Sequence, residues 1–320
     1  MKVSILPDGI IVKYTDEMLT ELKQTVPEAD ISCISGSAAG LTELADSEVI
    51  YGRLPHELLK ELKNLKWLHL PSAGADNYTD LSLYANPSII LTKSSGTFGI
   101  PIAEHVIGMM IALGRNFTLY HNAQKEGVWN SDRTEAIDIY KSNVMVLGLG
   151  DLGTQVCKHL SGFCCNIIGF RRDASVPHEF ASEVRPMSRL RESLPEADFV
   201  INCLPGTEET SKVLGRDEFS VMKKRAIVIN VGRGTTIDTE ALVDALNSGK
   251  IGGAGLDVTD PEPLPSGHPL WNATNVLITP HISSLSPLND ARRLAIFTDL
   301  LKRYLSGQPM YNTVDFSSGY

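Results

Sequence analysis

Residues 144–160 read VMVLGLGDLGTQVCKHL, and the fold turns on how they are read. Val144–Leu147 is an unbroken apolar run, as a strand covered on both faces requires. Glycines follow at the spacing G-x-G-x-x-G, at Gly148, Gly150 and Gly153, and a helical pattern comes next. Each glycine has a separate task in such a strand–turn–helix unit. Gly148 makes the tight turn, Gly150 lets the backbone approach a pyrophosphate, and Gly153 lets the helix pack on the strand. The amides of Asp151 and Leu152 would face that pyrophosphate at the positive end of the helix. Glycine turns are common, so the spacing alone is weak. The strand before it, the helix after it and a second strand on schedule make a dinucleotide site the expectation.

Working outward, short apolar runs alternate with helical patterns on both sides. Val3–Leu6, Ile31–Ile34, Val49–Tyr51, Trp67–Leu70 and Ile89–Leu91 read as strands, with helices such as Thr15–Thr25 and Pro55–Leu65 between them. A long apolar segment, Pro101–Arg115, opens a second series of six strands: Val144–Leu147, Ile167–Phe170, Phe199–Cys203, Ile227–Val231, Gly255–Val258 and Val276–Ile278. This rhythm predicts parallel sheets with helices on both faces, and six strands complete a doubly wound nucleotide fold. A last helix is expected from the Ser286-Pro287 cap to Gly307, with Leu294, Phe297, Leu301 and Tyr304 on its apolar face, packing back on the first series.

Composition bounds the function. The chain has 320 residues, which suits two domains, and is 42% hydrophobic and 21% charged. A net charge of −9 argues against a nucleic-acid or anionic-membrane partner. The opening MKVSILPDGI lacks the apolar core of a signal peptide, and the longest apolar stretch, Ile100–Leu113, contains Glu104 and His105 and is too short to span a bilayer. A cytoplasmic protein is therefore expected. Cys33, Cys157, Cys164, Cys165 and Cys203 show no C-x-x-C spacing. Cys157, Cys164 and Cys203 lie in apolar settings and read as buried reduced thiols, and no metal site is expected.

The position that usually carries an acid to bind the ribose instead holds Arg171 and Arg172, in NIIGFRRD. An arginine offers a fork of donors to a 2′-phosphate, so the pair points to NADP rather than NAD. The alternative is a solvated strand end, with Asp173 holding the ribose. Three later strands end in chemistry-bearing residues: Arg233 between Gly232 and Gly234, Asp257 followed by Glu262 in a proline-rich loop, and His281 after Pro280. Hydride transfer to a carbonyl needs a proton donor, which His supplies, and a carboxylate beside it favours the imidazolium and orients the ring. An arginine can clamp a carboxylate and polarise the adjacent carbonyl.

GLGDLG (148–153), NCLPGTEET (202–210), NVGRG (230–234), AGLDVTDPEPLP (254–265), PLW (269–271) and TPHI (279–282) together resemble the D-isomer-specific 2-hydroxyacid dehydrogenases, with weaker matches at PSAGAD (71–76) and IAEH (102–105). That family includes glyoxylate/hydroxypyruvate reductases. The resemblance implies an α/β chain of two doubly wound parallel-sheet domains. A Rossmann cofactor domain, 99–285, would be inserted in a flavodoxin-like substrate domain, 1–98 plus 286–320. It implies Arg233 as substrate-binding arginine, Glu262 and His281 as the acid/base pair, and Asp257 as the partner of the nicotinamide carboxamide. Leu204, Pro205 and Thr210 would line the adenosine side, Val231, Gly232 and Ser283 would also meet the cofactor, and the amides of Ala73 and Gly74 would grip the substrate carboxylate. A homodimer built around Pro101–Arg115 is implied as well. Arg171-Arg172 and Ser283-Ser284 depart from the commoner pattern.

The expectation is thus an NADPH-dependent reductase of small 2-oxo acids to D-2-hydroxy acids. A nucleotide-sensing binding protein on the same fold, like the family's corepressor relatives, is the alternative. Arg53 is read as an exposed strand-end residue, His105 and His268 as structural or exposed, and Trp129 and Trp271 as packing residues.

Overall fold

The computed structural model describes residues 1–7, 13–34, 40–130 and 136–316. The chain divides into two compact units, Met1–Phe98 with Ser286–Tyr320, and Gly99–Leu285.

The first unit runs β1 (Lys2–Ile5), α1 (Asp16–Thr25), β2 (Asp30–Cys33), α2 (Leu41–Leu44), β3 (Val49–Tyr51), α3 (His56–Leu59), β4 (Trp67–Leu70) and β5 (Ile90–Lys93). Its strands are all parallel, in the order β2-β1-β3-β4-β5, the flavodoxin-like doubly wound arrangement. Thr15 opens α1 by accepting a hydrogen bond from the Met18 amide (3.3 Å), and Asp16 and Glu17 complement the helix dipole. The helix expected over 55–65 is only one turn long. Beyond it, three-residue turns such as Leu65 N to Leu62 O take over. Leu59, Leu62 and Leu65 are still buried, because a spacing of three is met by tight turns as well as by an α-helix.

The second unit opens with α4 (Gly99–Gly114) and α5 (Phe117–Lys125). It continues as β6 (Asn143–Leu147), α6 (Asp151–Leu160), β7 (Asn166–Arg171), β8 (Glu183–Pro186), α7 (Leu190–Ser193), β9 (Phe199–Asn202), α8 (Arg216–Val221), β10 (Ile227–Asn230), α9 (Thr239–Asn247), β11 (Gly253–Leu256) and β12 (Val276–Ile278). All strands are parallel, in the order β12-β11-β10-β9-β6-β7-β8. The sheet has seven strands where six were expected. The additional one, β8, is a half-exposed edge strand with no apolar run and a terminal proline, which an edge tolerates and a central strand does not. The inner strands are the opposite: Val144–Leu147 and Phe199–Ile201 are wholly buried. Ala103, Val106, Met109, Met110 and Leu113 of α4 join that core. Gly255 in β11 admits the helix, since a Cβ there would lie 2.8 Å from Met109 Sδ.

The chain then returns to the first unit as α10 (Asn289–Ser306). Leu294, Phe297, Leu300 and Leu301 are buried against Val3, Ile5, Val49, Tyr51 and Trp67, each contributing about 1.5–3 kcal/mol. Gly307, with φ 66°, ends the helix. Its start lies later than the Ser286-Pro287 cap predicted. Ser286 Oγ accepts from the Leu288 amide and its carbonyl from Asn289, so these residues form a separate turn before the helix.

Cysteines 33, 157, 164, 165 and 203 are all free. Cys157 is buried and Cys203 half-buried, but Cys164 is exposed, contrary to expectation. It occupies a left-handed turn (φ 54°) that takes it out of the apolar pattern around it. No helix among the described residues is long and apolar enough to cross a membrane.

Candidate active site

The strands of a parallel sheet all end on the same edge, and the order of the second sheet reverses between β6 and β9. Ligands of doubly wound sheets bind at such a switch point, beyond the carboxyl ends. The turn after β6 is the glycine-rich one. Gly148 adopts φ 90°, and a Cβ on Gly153 would sit 1.9 Å from the Gly148 carbonyl oxygen. Gly150, at the start of α6, has no atom within 4 Å of its Cβ position. Two glycines are thus demanded by the chain itself, while the third faces open space. That space lies beside the amides of Asp151 and Leu152 at a helix N-terminus, where a pyrophosphate could be held.

Arg171 ends β7. Its Nη2 donates to the Val176 carbonyl, while Nε is buried without a partner among the described residues. Arg172 is exposed. Asp173 Oδ1 accepts from the Ser175 amide (2.9 Å) and hydroxyl (2.6 Å). Those two bonds hold its carboxyl below the usual range.

Two buried asparagines, which the sequence reading left without a role, end adjacent strands in register: Asn202 on β9 and Asn230 on β10. Asn202 Nδ2 donates to Asn230 Oδ1 (3.0 Å) and Thr236 Oγ1 (2.5 Å), and its Oδ1 accepts from the Leu204 amide (3.3 Å). Asn230 Nδ2 donates to the Arg233 carbonyl (3.0 Å), and its Oδ1 accepts from the Gly232 amide (3.1 Å). The pair therefore ties the loop after β9 to the loop carrying Arg233. The signal was available, since each residue is polar at the end of an all-apolar strand.

The glycines around Arg233 serve the same packing. A Cβ on Gly232 would meet the Leu204 carbonyl at 2.4 Å, and one on Gly234 the Thr259 carbonyl at 1.9 Å. Arg233 is half-buried, with Nη1 donating to the Gly232 carbonyl (3.0 Å). Leu204 is buried and Pro205 exposed. Thr210 closes their loop by donating to the Pro205 carbonyl (2.6 Å) and accepting from the Thr207 amide (2.9 Å). Val231 is buried behind the Arg233 turn.

After β11 come Asp257 and then Glu262, which lies between Pro261 and Pro263; both X-Pro bonds are cis. His281 follows β12. Its Nδ1 lies 2.6 Å from Glu262 Oε1, and both side chains are about half exposed, at 49% and 41%. A carboxylate accepts from Nδ1–H, which leaves Nε2 as the ring atom able to exchange a proton with a bound molecule. His281 has φ 54°, a left-handed conformation uncommon for a residue other than glycine. Its amide is held by the carbonyls of Asp257 (2.8 Å) and Thr279 (3.0 Å). Asp257 is 2% exposed and receives the Thr279 hydroxyl and the amides of Ile282 and Ser283. Burial opposes its charge, but the hydrogen bonds from Ser283, Thr279 and Ile282 bring its carboxyl below the usual range.

Arg233, Asp257, Glu262, His281 and the glycine turn therefore share one sheet edge of the second unit. Ala73 and Gly74 belong to the first unit, in the turn after β4, where Ser72 Oγ donates to the Gly74 carbonyl (2.8 Å). Arg293 of α10, 4% exposed, donates from Nε to the Pro71 carbonyl (3.0 Å) and braces that turn. Arg53 is exposed, His268 accepts from the Leu270 amide, and Trp129 and Trp271 are 95% and 51% exposed rather than packed. His105 is more engaged than expected: its Nε2 lies 3.0 Å from Thr279 Oγ1.

Comparison with known proteins agrees with this arrangement. Residues 107–283, more than half of the chain, match the model of the D-isomer specific 2-hydroxyacid dehydrogenase, NAD binding domain. A glyoxylate/hydroxypyruvate reductase B of Enterobacter sp. (strain 638) is 31% identical over 317 residues, covering 97% of this chain and 95% of that protein. A D-3-phosphoglycerate dehydrogenase of Methanocaldococcus jannaschii is 32% identical over 281 residues, covering 86% of this chain. The chain spans about half (53%) of that relative's length. The crystal structure of a D-isomer specific 2-hydroxyacid dehydrogenase from Xanthobacter autotrophicus Py2, in complex with NADPH and MES, superposes with a TM-score of 0.82 at 26% identity, covering 99% of each chain. With the two parallel sheets, the glycine turn and the His–Glu pair in place, the chain belongs to the D-isomer specific 2-hydroxyacid dehydrogenases, a family of oxidoreductases.

Proposed function

We propose that this protein reduces small 2-oxo acids to D-2-hydroxy acids with NADPH. The observation that carries the proposal is the 2.6 Å His281–Glu262 pair, on the same sheet edge as a glycine turn with open space at Gly150. A nicotinamide cofactor, when bound, supplies the hydride. Gly148, Gly150, Gly153 and the amides of Asp151 and Leu152 would hold its pyrophosphate. Leu204, Pro205 and Thr210 would line its adenosine side, Val231 and Gly232 would also meet it, and Asp257 and Ser283 would face its nicotinamide end.

The chain's own groups then do the following. Arg233 clamps the substrate carboxylate and polarises the carbonyl, in an orientation braced by Asn230 and by the tight packing of Gly232 and Gly234. In the first unit, the amides of Ala73 and Gly74 are proposed as further carboxylate donors. His281 Nε2 delivers the proton to the developing alkoxide, and Glu262 holds the ring through Nδ1 and stabilises the imidazolium. Arg171 and Arg172 favour NADP over NAD. The unpartnered Arg171 Nε and the commitment of Asp173 to Ser175 support that preference, as does the NADPH bound to the Xanthobacter relative. The free cysteines are in keeping with a cytoplasmic location. The exposed Phe117, Val128 and Trp129 beside α4 are in keeping with a homodimer.

A spectrophotometric panel tests the reading. Glyoxylate, hydroxypyruvate, pyruvate and bulkier 2-oxo acids are each offered with NADPH and with NADH. Turnover of a small 2-oxo acid, faster with NADPH, is expected. No turnover across the panel would instead favour a nucleotide-sensing protein.

A further inference from the structure

Beneath the His281 turn a polar chain reaches Asp257 through two residues, His105 and Thr279, that have no part in the proposed reaction. His105, on α4, places Nε2 3.0 Å from Thr279 Oγ1 and 4.0 Å from Asp257 Oδ1. Thr279 Oγ1 is in turn 2.6 Å from Asp257 Oδ1. The direction of these bonds follows from proton counting. An ionised carboxylate can only accept, so the single hydroxyl proton of Thr279 goes to Asp257. The Thr279 oxygen must then accept from His105, which places a proton on His105 Nε2. The chain therefore runs one way: His105 donates to Thr279, and Thr279 donates to Asp257.

The two oxygens of Asp257 are loaded unequally. Oδ1 receives the Thr279 hydroxyl, the Ile282 amide (2.9 Å) and the Ser283 amide (3.2 Å). Oδ2 receives the Ser283 amide (3.1 Å), and the Ser283 side chain adds a further hydrogen bond to the carboxylate. Oδ1 is thus the more heavily engaged oxygen, and Oδ2 keeps the greater acceptor capacity. The same carboxylate thus holds the two amides that immediately follow His281, a residue kept in a left-handed conformation that persists only where its surroundings over-determine it.

We propose that His105 and Thr279 are positioning residues: by engaging Asp257 Oδ1 from behind, they anchor the His281 turn and leave Oδ2 to accept from the carboxamide of a bound nicotinamide. The inference rests on the proposed cofactor site. The side chain at 105 therefore acts on catalysis from the next helix, through two intermediaries, without touching substrate.

Fluorescence titration of the full chain with NADPH, and competition by 2′-phospho-ADP-ribose, which lacks the nicotinamide, separates the possibilities. Thr279→Val and His105→Leu should each weaken NADPH about tenfold and lower kcat by a similar factor, while affinity for 2′-phospho-ADP-ribose stays unchanged and so reports an intact fold. Thr279→Ser, which keeps the hydroxyl, should restore both. The double variant should be no worse than either single one, because the residues act in series. Should the unmodified protein bind NADPH no better than the fragment, the cofactor reading fails, and the proposal with it. Should it discriminate while Thr279→Val discriminates equally well, or should Thr279→Ser behave like Thr279→Val, the positioning role alone is overturned.

Discussion

The two parallel sheets hold similar materials near their carboxyl edges and use them differently. In the first, His69 lies in β4 with no exposure. Its Nδ1 is 2.7 Å from Thr92 Oγ1, its Nε2 is 3.0 Å from Ser94 Oγ, and Tyr51 packs edge-on against its ring. Burial pushes its pKa down to about 3, so at neutral pH it is an uncharged structural ring. In the second sheet, His281 stands half-exposed on a turn, paired with a carboxylate. The arginines divide in the same way. Arg293 is buried on Pro71 and Asp290, whereas Arg233 sits half-buried between two glycines. Surroundings separate the two: hydroxyls and burial keep His69 neutral, whereas His281 stands half-exposed beside a carboxylate, as the proposed proton transfer requires.

The largest expected effect tests that contrast directly. His281→Ala should lower turnover at least a hundredfold, as loss of a general acid does, and leave the unfolding midpoint nearly unchanged. His69→Ala should do the reverse, destabilising the first unit by a few kcal/mol through lost packing and orphaned hydroxyls. Steady-state kinetics and urea unfolding of both variants check it, and near-normal turnover in His281→Ala would remove the acid/base assignment.

A smaller effect concerns the cofactor edge. Arg171→Asp should raise the KM for NADPH at least tenfold and leave that for NADH nearly unchanged, since only the former carries the 2′-phosphate. Equal effects on both would reduce the arginine pair to a solvated strand end.

The smallest is a pH slope. In the folded chain His69 stays unprotonated down to about pH 3, whereas an unfolded histidine takes up its proton near pH 6.5. Its contribution is complete above about 6.5 and declines as pH falls toward 3, by about 1.4 kcal/mol per pH unit. Between pH 6.5 and 5 the unmodified protein should therefore lose about 2 kcal/mol more than His69→Gln, followed by the fluorescence of buried Trp67 during urea unfolding. Parallel losses would mean that His69 is not the group responsible.

Legibility followed burial and covalent neighbourhood. Strands such as Val144–Leu147 and Phe199–Ile201 announce themselves, because a strand covered on both faces must be apolar throughout. β8 does not, because an edge strand of Glu, Val, Arg and Pro meets no such demand. The last helix starts at Asn289, two residues later than a Ser286 cap predicts, because a Ser-Pro turn and a Ser-Pro cap look alike in one dimension. Arg233, Glu262 and His281 stood out because each lies in a glycine- or proline-marked turn at a strand end. Asn202, Asn230 and His105 carry no such mark, and Thr279, though beside Pro280, shows nothing in one dimension of the carboxylate it meets. Their parts arise from side-chain partners between 22 and 174 residues away.

By itself the sequence determined the two series of alternating strands and helices, the glycine turn, and which chemical groups sit at strand ends. These depend on periodicity and on backbone freedom, both local properties. Only the tertiary structure decided that Gly150 faces open space while Gly232 and Gly234 face neighbouring backbone. It also decided that Asp257 is loaded more heavily on one oxygen than on the other and that one histidine is sealed while another is half-exposed. Those outcomes depend on which strands lie side by side, and a chain's spacing does not reveal what it will be folded against.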